Sequence, residues 1–479
     1  MVSKKGAGKA GKQLDAKQLG EKLFHKRKSG WDGVNAAAER EMMAFAEDYK
    51  RFLDDSKTER EAVATIGRIA RRSGYCPIGE ATKKDTKLFL NFHGVSCVLA
   101  SIADPKKFAQ GFLMVGAHID TPRLDLKGFP LYEAEDMAYM KTHYYGGIKK
   151  YQWVTRPLAM HGVVFLESGK KVEVLIGEEA DEPVFTINDL LPHLAQDQME
   201  KNARKVIEGE NLNILVGSIP YNFKPEANAI KVNILKMLHD KYGFAEEDFV
   251  SAELQLVPAG TARDVGLDRS FIGSHGQDDR ICAFAGMRAM LDLPKSDKNI
   301  VMVFFDKEEI GSKGNAGANS NLLELAVAEI LEHFGVTDYA TVLKALRNSK
   351  FLSADVNAGI DPEWTGVTEK MNSAKIGFGV CLTKFTGSGG KSNSSEAHAE
   401  FVAEVRKAFN KDGALWQAAE LGKVDQGGGG TIAMYIAEYG MEVLDVGTAL
   451  LSMHSPFEVA SKADLYHTYK AYKAFYKYC

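Results

Sequence analysis

The chain has 479 residues, which is enough for about two to three domains, and its formal net charge is only −4. A charge this small argues against a protein that binds nucleic acid through bulk positive charge, and no apolar run in the sequence has the length of a membrane span. The five cysteines are widely spaced and form no C-x-x-C pair. That spacing excludes a cysteine zinc site and favours a reducing, cytoplasmic location. We therefore expect neither nucleic acid nor membrane among the partners.

The first part of the chain begins with a basic tail, about residues 1–13, which we expect to be disordered. Helical and then extended patterns follow it. Apolar spacing predicts three helices and then three strands, over residues 14–28, 34–53, 59–73, 88–92, 95–102 and 111–117.

The pattern changes between residues 124 and 270. Strand-forming runs at 161–166 and 171–176 flank a Ser-Gly pair, which predicts a hairpin. Strands that end in chemically reactive residues occur on both sides of this segment and not clearly within it. We therefore interpret residues 124–270 as an inserted β-rich domain. The rest, residues 1–123 and 271–479, is predicted to be one α/β domain with a mixed sheet and helices on both faces.

The remaining elements follow the same criteria. Predicted helices cover residues 229–242, 281–290, 321–333, 340–348, 396–409, 431–438 and 463–478, and predicted strands cover 253–257, 300–303, 351–356, 376–385 and 441–446.

The strand at 300–303 leads into three carboxylates, Asp306, Glu308 and Glu309. Glu308 and Glu309 are adjacent, so their side chains point in different directions, and one can bind a metal while the other handles a proton. The carboxyl end of a buried strand is the usual place for a site in an open α/β sheet. A solvated turn after a strand is the simpler alternative for this stretch alone.

Histidines and acids also follow other predicted strands or precede a helix. Because the carboxyl ends of parallel strands meet at one edge, distant residues can converge there. Imidazole and carboxylate without thiolate suit zinc, manganese or cobalt, and two ions that share one carboxylate would need about five ligands. An N-cap for the acid at 278 and a buried, satisfied histidine at 454 are the alternatives. The candidates are His118, Asp120, Asp278, Glu308, Glu309, Asp355 and His454.

Five short motifs, in this order along the chain, resemble those of the M18 metallo-aminopeptidases. That family includes aspartyl aminopeptidase and the vacuolar aminopeptidase I of yeast, and the bacterial aminopeptidase-1-like branch is the more similar one. The motifs are Gly-Ala-His118-Ile-Asp120-Thr-Pro-Arg, Asp278-Asp-Arg, Asp306-Lys-Glu308-Glu309-Ile-Gly-Ser, Ser-Ala-Asp355 and Ser-Met-His454-Ser.

The resemblance implies a role for each matching position. It implies a metal-dependent aminopeptidase with two divalent ions per subunit, zinc in the first place and cobalt or manganese as alternatives. One ion would be held by His118, Asp278 and Asp355, and the other by Asp278, Glu309 and His454. Glu308 would be the general base, and Asp120 would orient His118.

The resemblance also implies a homo-oligomer that acts on peptide substrates. The inserted domain would mediate dimerisation, and the dimers would assemble into a dodecamer. His193, in the run Leu-Pro-His-Leu-Ala, would contact substrate from a neighbouring subunit, and Lys384 would bind a substrate side chain.

The sequence also departs from the aspartyl members of the family. They have a histidine shortly after the metal-binding aspartate, whereas Val-Asn-Ala follows Asp355 here. The preference for an acidic, neutral or broad range of N-terminal residues is therefore left open. A related dinuclear metal amidohydrolase or carboxypeptidase, with the same ligands, is the alternative function.

Overall fold

The structure, a computed structural model, describes residues 15–224, 226–293 and 296–479. The predicted basic tail at residues 1–13 lies outside the described residues. Among the described helices, none has both the length and the apolar character needed to cross a bilayer.

Five of the eleven described α-helices begin at a side chain that caps the first turn, for example Asn35, Thr58 and Asp338. Over the described residues they are α1 (Ala16–Leu23), α2 (Ala36–Asp54), α3 (Glu59–Arg72), α4 (Gln196–Met199), α5 (Ala229–Tyr242), α6 (Gln277–Leu291), α7 (Leu322–His333), α8 (Tyr339–Arg347), α9 (Ala399–Asp412), α10 (Ala433–Ile436) and α11 (Lys462–Tyr478).

The strands form three sheets. In chain order they are β1 (Cys76–Pro77), β2 (Lys87–Phe92), β3 (Ser96–Ser101), β4 (Leu113–His118), β5 (Arg123–Ala134), β6 (Met137–Tyr145), β7 (Leu158–Phe165), β8 (Lys171–Ile176), β9 (Ile214–Gly217), β10 (Ala252–Pro258), β11 (Arg263–Val265), β12 (Phe271–Ser274), β13 (Ile300–Phe305), β14 (Lys350–Ser353), β15 (Asn357–Ala358), β16 (Val380–Thr383), β17 (Trp416–Ala418), β18 (Glu442–Gly447), β19 (Ala449–Leu451) and β20 (Glu458–Ser461).

The largest sheet has nine strands in the order β1-β2-β3-β13-β4-β14-β18-β16-β17. Its centre, from β13 to β18, is parallel, and antiparallel pairs flank it at β3/β13 and β16/β18. The sheet is therefore mixed, as predicted.

Helices cover both faces of this sheet, which explains why its central strands are apolar throughout. Alternate side chains of a strand point to opposite faces. Val115 and Met302 accordingly pack into a core with α2, α3, α6, α9 and α11. Met114 and Val303 pack into a second core with α7, α8 and α10 on the other face. The predicted α/β arrangement with helices on both faces is confirmed.

Apart from Arg123, the first residue of β5, the second sheet lies within the segment that we interpreted as an insert. Its order is β8-β7-β10-β5-β6-β9, and its pairs are antiparallel. It has its own apolar core, which includes the fully buried Trp153. β5 and β10 are neighbours, so the chain enters and leaves this sheet side by side.

A buried ion cluster joins this sheet to α3. His161 of β7 lies 2.8 Å from Glu61 through Nδ1 and 2.9 Å from Glu178 through Nε2. Burial alone would lower the pKa of His161, but the two carboxylates raise it above its ordinary value. Lys57 adds a further contact to Glu178 and to the carbonyl of Gly260.

A third sheet, β11-β12-β20-β19-β15, lies against the carboxyl-terminal part of the chain. Its strand β11 falls before the predicted boundary at residue 270, yet it pairs with β12, which in turn pairs with β20. The strand pairing of the insert thus ends at Pro258. The division into domains, and a dimerisation role for residues 124–270, remain predictions.

Several predicted elements are shorter in the structure, among them the strand predicted over 351–356, which is β14, and three others are shortened for a local reason. Asp15 caps α1, which ends at Leu23 because Phe24 is extended. The strand predicted over 376–385 is reduced to β16, since Gly377 and Gly379 have φ of +84° and +87°. The helix predicted over 431–438 is reduced to α10 and a following 3-10 turn, which ends at the left-handed Gly440.

Candidate metal centre

The predicted site residues meet at the carboxyl edge of the nine-stranded sheet. His118 is the last residue of β4 and pairs in register with Phe305, the last residue of β13. Asp355 follows β14, the other parallel neighbour of β4. The parallel register therefore places the ends of three strands side by side.

Two further residues reach this edge from outside the sheet. Asp278 lies at the beginning of α6, with a backbone that departs from helical geometry. His454 lies in the turn between β19 and β20, where its own φ is +63°. Both residues therefore reach the strand ends from elements outside the nine-stranded sheet.

Asp278 lies between two groups of ligands. Its Oδ1 atom is 3.2 Å from Nε2 of His118, which is itself 3.8 Å from Oδ1 of Asp355. Its Oδ2 atom is 3.1 Å from Nε2 of His454, which is 3.4 Å from Oε1 of Glu309. Each oxygen of one carboxylate thus faces a different triad.

The two triads fit divalent metal ions. In each of them, one ligand atom per residue lies within 4.8 Å of the others. Oδ1 of Asp278 and Oε1 of Glu309 are buried and accept no hydrogen bond from the described residues. Buried carboxylate oxygens are normally paired or coordinate a cation. Nitrogen and oxygen donors in this mixture suit zinc and its neighbours.

Backbone carbonyls hold both histidines in place. Nδ1 of His118 lies 3.0 Å from the carbonyl oxygen of Asp120, and Nδ1 of His454 lies 3.0 Å from the carbonyl oxygen of Gly147. A ring that donates Nδ1–H to a carbonyl offers its other nitrogen as a metal ligand. The arrangement therefore directs Nε2 of each histidine towards Asp278.

The carboxylate of Asp120 holds the segment that carries the two glutamates. It is fully buried and accepts a hydrogen bond from the hydroxyl of Tyr145 at 2.8 Å. It also accepts the backbone N–H groups of Glu308 and Glu309, both at 3.1 Å. These glutamates open a 3-10 turn that is flanked by the left-handed residue Lys307, with φ of +68°. Asp120 thus contacts His118 through its carbonyl and the glutamate turn through its carboxylate.

The electrostatics distinguish Glu308 from Asp278, the carboxylate that the two triads share. Burial raises the pKa of Glu308 to about 7, a shift that His118 opposes and that the charges of Asp120 and Asp278 increase. A carboxylate with a pKa near neutrality can take up and release a proton at physiological pH. By contrast, although burial opposes the shift, the two histidines hold the pKa of Asp278 below its ordinary value.

Three residues that support the site were not predicted. Glu458 is buried and accepts the backbone N–H groups of Asp278 at 3.2 Å and of His454 at 2.8 Å. Gly447 allows β18 to approach the strand end, because a Cβ atom there would lie 1.7 Å from the carbonyl oxygen of Asp355. Tyr145 is the third. The only sequence signal was for Glu458, an acid four residues after His454 at the start of a short strand.

The two predicted substrate-binding residues do not join either triad of this subunit. His193 is exposed in the 3-10 turn Pro192–Leu194. Lys384 is exposed after β16, and its Nζ atom lies 3.9 Å from Oε1 of Glu396. Their roles remain predictions.

Comparison with known proteins identifies the family. Residues 52–476 match the family described as Aminopeptidase I zinc metalloprotease (M18). A protein from Clostridium acetobutylicum named "Probable M18 family aminopeptidase 1" is 49% identical over 459 residues, which cover 95% of this chain and 98% of that protein.

Solved structures agree with the sequence match. The crystal structure of an M18-family aminopeptidase from Thermotoga maritima superposes with a TM-score of 0.91 at 45% identity and covers 95% of this chain and 100% of that one. The S. cerevisiae mApe1 dodecamer has a TM-score of 0.72 at 20% identity and covers 91% of this chain and 97% of that one, so it shows a shared fold alone.

Proposed function

The chain belongs to the M18 family of zinc metallo-aminopeptidases, and from this premise we propose that it removes N-terminal residues from peptides at a centre of two divalent ions. The aminopeptidase class, and with it the hydrolase class, follows from the family. The number of ions and the residue roles are the proposal.

One observation carries the proposal, namely the position of Asp278 between two triads. A single carboxylate that offers one oxygen to each group is what a pair of ions with a shared ligand requires. His118 and Asp355 complete one triad, and Glu309 and His454 complete the other. We propose zinc for both positions, in agreement with the family's description.

When bound, the ions would supply Lewis acidity to the scissile carbonyl and to the attacking water. Glu308 would accept a proton from that water and return it to the leaving amine. Its raised pKa supports the first transfer, and its absence from both triads leaves its side chain available. Asp120 would keep Glu308 and Glu309 at fixed positions through their backbone N–H groups.

The exopeptidase character would arise from charge. A free N-terminal amine is cationic, and the buried acids around the triads would attract it, whereas an acylated terminus has no such charge. The alternative functions, amidohydrolase and carboxypeptidase, would use the same ligands on other substrates. Substrate form therefore distinguishes them better than metal content does.

We also propose that the chain forms a homo-oligomer through residues 124–270. A structural neighbour of the same fold is described as a dodecamer. Large apolar side chains are exposed on this segment, for example Leu191, Leu194, Met199 and Phe223, and such side chains are typical of protein interfaces. Light scattering of the purified protein would measure the assembly.

A panel of peptides tests the reaction. The free peptide Leu-Ala-Ala-Phe, its N-acetylated form and its C-terminal amide would be incubated with the enzyme, with and without chelator. We expect sequential release of N-terminal residues from the free peptide and the amide, no release from the acetylated form, and loss of turnover with chelator. Release from the acetylated peptide, or removal of Phe first, would support the alternative functions instead.

A variant tests the role of the base. We expect Glu308→Gln to lower kcat by about 10²- to 10⁴-fold while the bound metal stays unchanged. Glu363→Gln, at an exposed glutamate outside the site, is the matched control and should leave kcat unchanged. Full activity in Glu308→Gln would contradict the assignment.

A further inference from the structure

A short segment of the chain forms one wall of the metal centre and then leads away from it. The carbonyl oxygen of Gly147 contacts His454. A Cβ atom on the preceding Gly146 would lie 3.4 Å from Oε2 of Glu309. Two consecutive glycines thus let the backbone approach two of the proposed metal ligands, and whatever follows them in the chain lies at the rim of the site.

Beyond these glycines the segment lines a cavity of about 500 Å³. Its polar side chains are three cations, Lys149, Lys150 and Arg204, and the two tyrosines Tyr144 and Tyr151. No carboxylate is among the lining residues. The cavity therefore combines a concentrated positive charge with hydroxyl groups that can donate hydrogen bonds.

Among the described residues, no carboxylate forms an ion pair with any of these three cations. Glu208 and Glu210, which follow Arg204 in the chain, are engaged elsewhere, since Glu208 pairs with Lys201 at 3.2 Å and Glu210 pairs with Lys127 at 2.8 Å. Unpaired cations that share one concave surface repel each other, and an anion placed between them relieves that repulsion. The cavity therefore suits an anion, and the anions that a peptide substrate carries are carboxylates.

The position of the cavity relates it to the substrate. Lys149 and Lys150 come two and three residues after Gly147, so the backbone between them spans at most about 7 to 11 Å. An extended peptide advances about 3.5 Å per residue, so its second and third residues lie within a comparable distance of the scissile bond. These comparable lengths favour the second or third residue as the one whose carboxylate enters the cavity.

We propose that this cavity is a subsite for a carboxylate carried by the second or third residue of the substrate, including the C-terminal carboxylate of a dipeptide or tripeptide. The inference rests on the proposed aminopeptidase reaction and adds a preference on the leaving side of the scissile bond. It leaves the N-terminal residue itself unrestricted by these cations.

Matched peptides test the subsite. C-terminally amidated peptides with Glu or Gln at position one, two or three, and Leu or Ala elsewhere, would be compared by KM and kcat. We expect the Glu peptide to have a KM about fivefold below that of the Gln peptide at position two or three, with similar kcat. Because the attraction is electrostatic, the difference should shrink as ionic strength rises.

Charge-removing variants connect the preference to the cavity. In the double variant Lys149→Gln/Lys150→Gln, the Glu-to-Gln ratio of KM should approach one, and the Gln peptide serves as the internal reference for folding and turnover. The double variant Lys170→Gln/Lys171→Gln removes the same charge at an exposed hairpin and should keep the ratio of the wild type.

Two results would overturn the subsite. One is an unchanged ratio in the Lys149→Gln/Lys150→Gln variant, and the other is a preference for Glu confined to position one. Neither result would contradict the proposed aminopeptidase reaction. That proposal fails only if the wild-type enzyme releases no N-terminal residue from any free peptide.

Discussion

Among the described residues, the hydroxyl of Tyr145 makes the hydrogen bond by which the six-stranded sheet reaches the buried carboxylate of Asp120. Its removal is a sharp test of how the turn that carries Glu308 and Glu309 is held. In Tyr145→Phe the ring remains, so its stacking with the guanidinium of Arg123, 3.8 Å from the ring centre, is preserved. Only the hydrogen bond to Asp120 is lost. Burial and the charge of Asp120 raise the pKa of the tyrosine, so its hydroxyl is protonated and donates.

The size of the effect follows from the type of bond. A hydrogen bond to a charged group contributes about 1.5 to 3 kcal/mol, and each 1.4 kcal/mol in the activation barrier is about tenfold in rate. Asp120 retains the N–H groups of Glu308 and Glu309, so part of the loss is compensated. We expect kcat to fall by about 10-fold, and by at most about 100-fold.

The assay separates positioning from folding. Because the hydroxyl of Tyr145 contacts Asp120 and, in the part of the chain that the structure describes, forms no hydrogen bond with a ligand of either triad, KM should stay within about twofold of the wild type. The unfolding temperature should change little, since the ring still packs. Tyr139→Phe, on the same strand with its hydroxyl directed at Asn188, is the matched control and should keep full kcat.

A wild-type kcat in Tyr145→Phe would refute the reasoning. So would a variant whose lost activity is fully accounted for by a smaller folded fraction, because the hydroxyl would then serve stability alone.

The other predictions concern pH, packing and metal. The pKa of His161 is raised in the folded protein. The attraction of its charged ring to the two flanking glutamates is therefore fully present below the unfolded pKa, near 6.5, and is lost as pH rises through the folded pKa. Between pH 6 and pH 9, the unfolding temperature should fall more in the wild type than in His161→Gln. Gly447→Ala should weaken zinc binding at least tenfold by displacing Asp355. Gly366→Ala, where no atom lies within 4 Å of the new Cβ, should leave the zinc affinity unchanged. Equal zinc affinities in the two variants would contradict the steric account. Zinc added to the chelated protein at about 100 times its Kd should stabilise the fold by about 2.7 kcal/mol for each ion bound, measured as a higher unfolding temperature that magnesium does not reproduce.

Much of the site could be predicted because its residues stand beside strong local patterns. The uncharged run before Asp306 predicts a buried strand, and the acids after it then fall at a sheet edge. The same holds for His118 after its apolar strand. The pairing of ligands was not contained in these patterns. It came from the resemblance to a family, and the distances around Asp278 agree with it.

Local sequence patterns could not predict the residues that support the metal ligands. Tyr145, Glu458 and Gly447 act on segments that are distant in sequence or folded back by a turn, and no periodicity marks such contacts. In the sequence alone, Gly447 has no feature that distinguishes it from other strand residues. The need for glycine becomes visible only in the structure, where the carbonyl of Asp355 lies beside it. Likewise, the residues of β11 show no pattern that assigns them to one sheet rather than another, so the predicted boundary at 270 differs from the end of β10 at Pro258.

The adjacency of β5 and β10 has an engineering consequence. Neighbouring strands lie about 4.8 Å apart, and Leu124 is paired with Leu256, so the chain departs and returns almost at one point. A linker of a few residues would therefore rejoin the two ends after excision of everything between them, without stretching the nine-stranded sheet. The shortened chain would retain all five proposed ligands, but it would lack the Tyr145 hydroxyl that donates to Asp120 and the Gly147 carbonyl that contacts His454. We expect such a truncation to lower the turnover number before it disturbs the structure of the nine-stranded sheet.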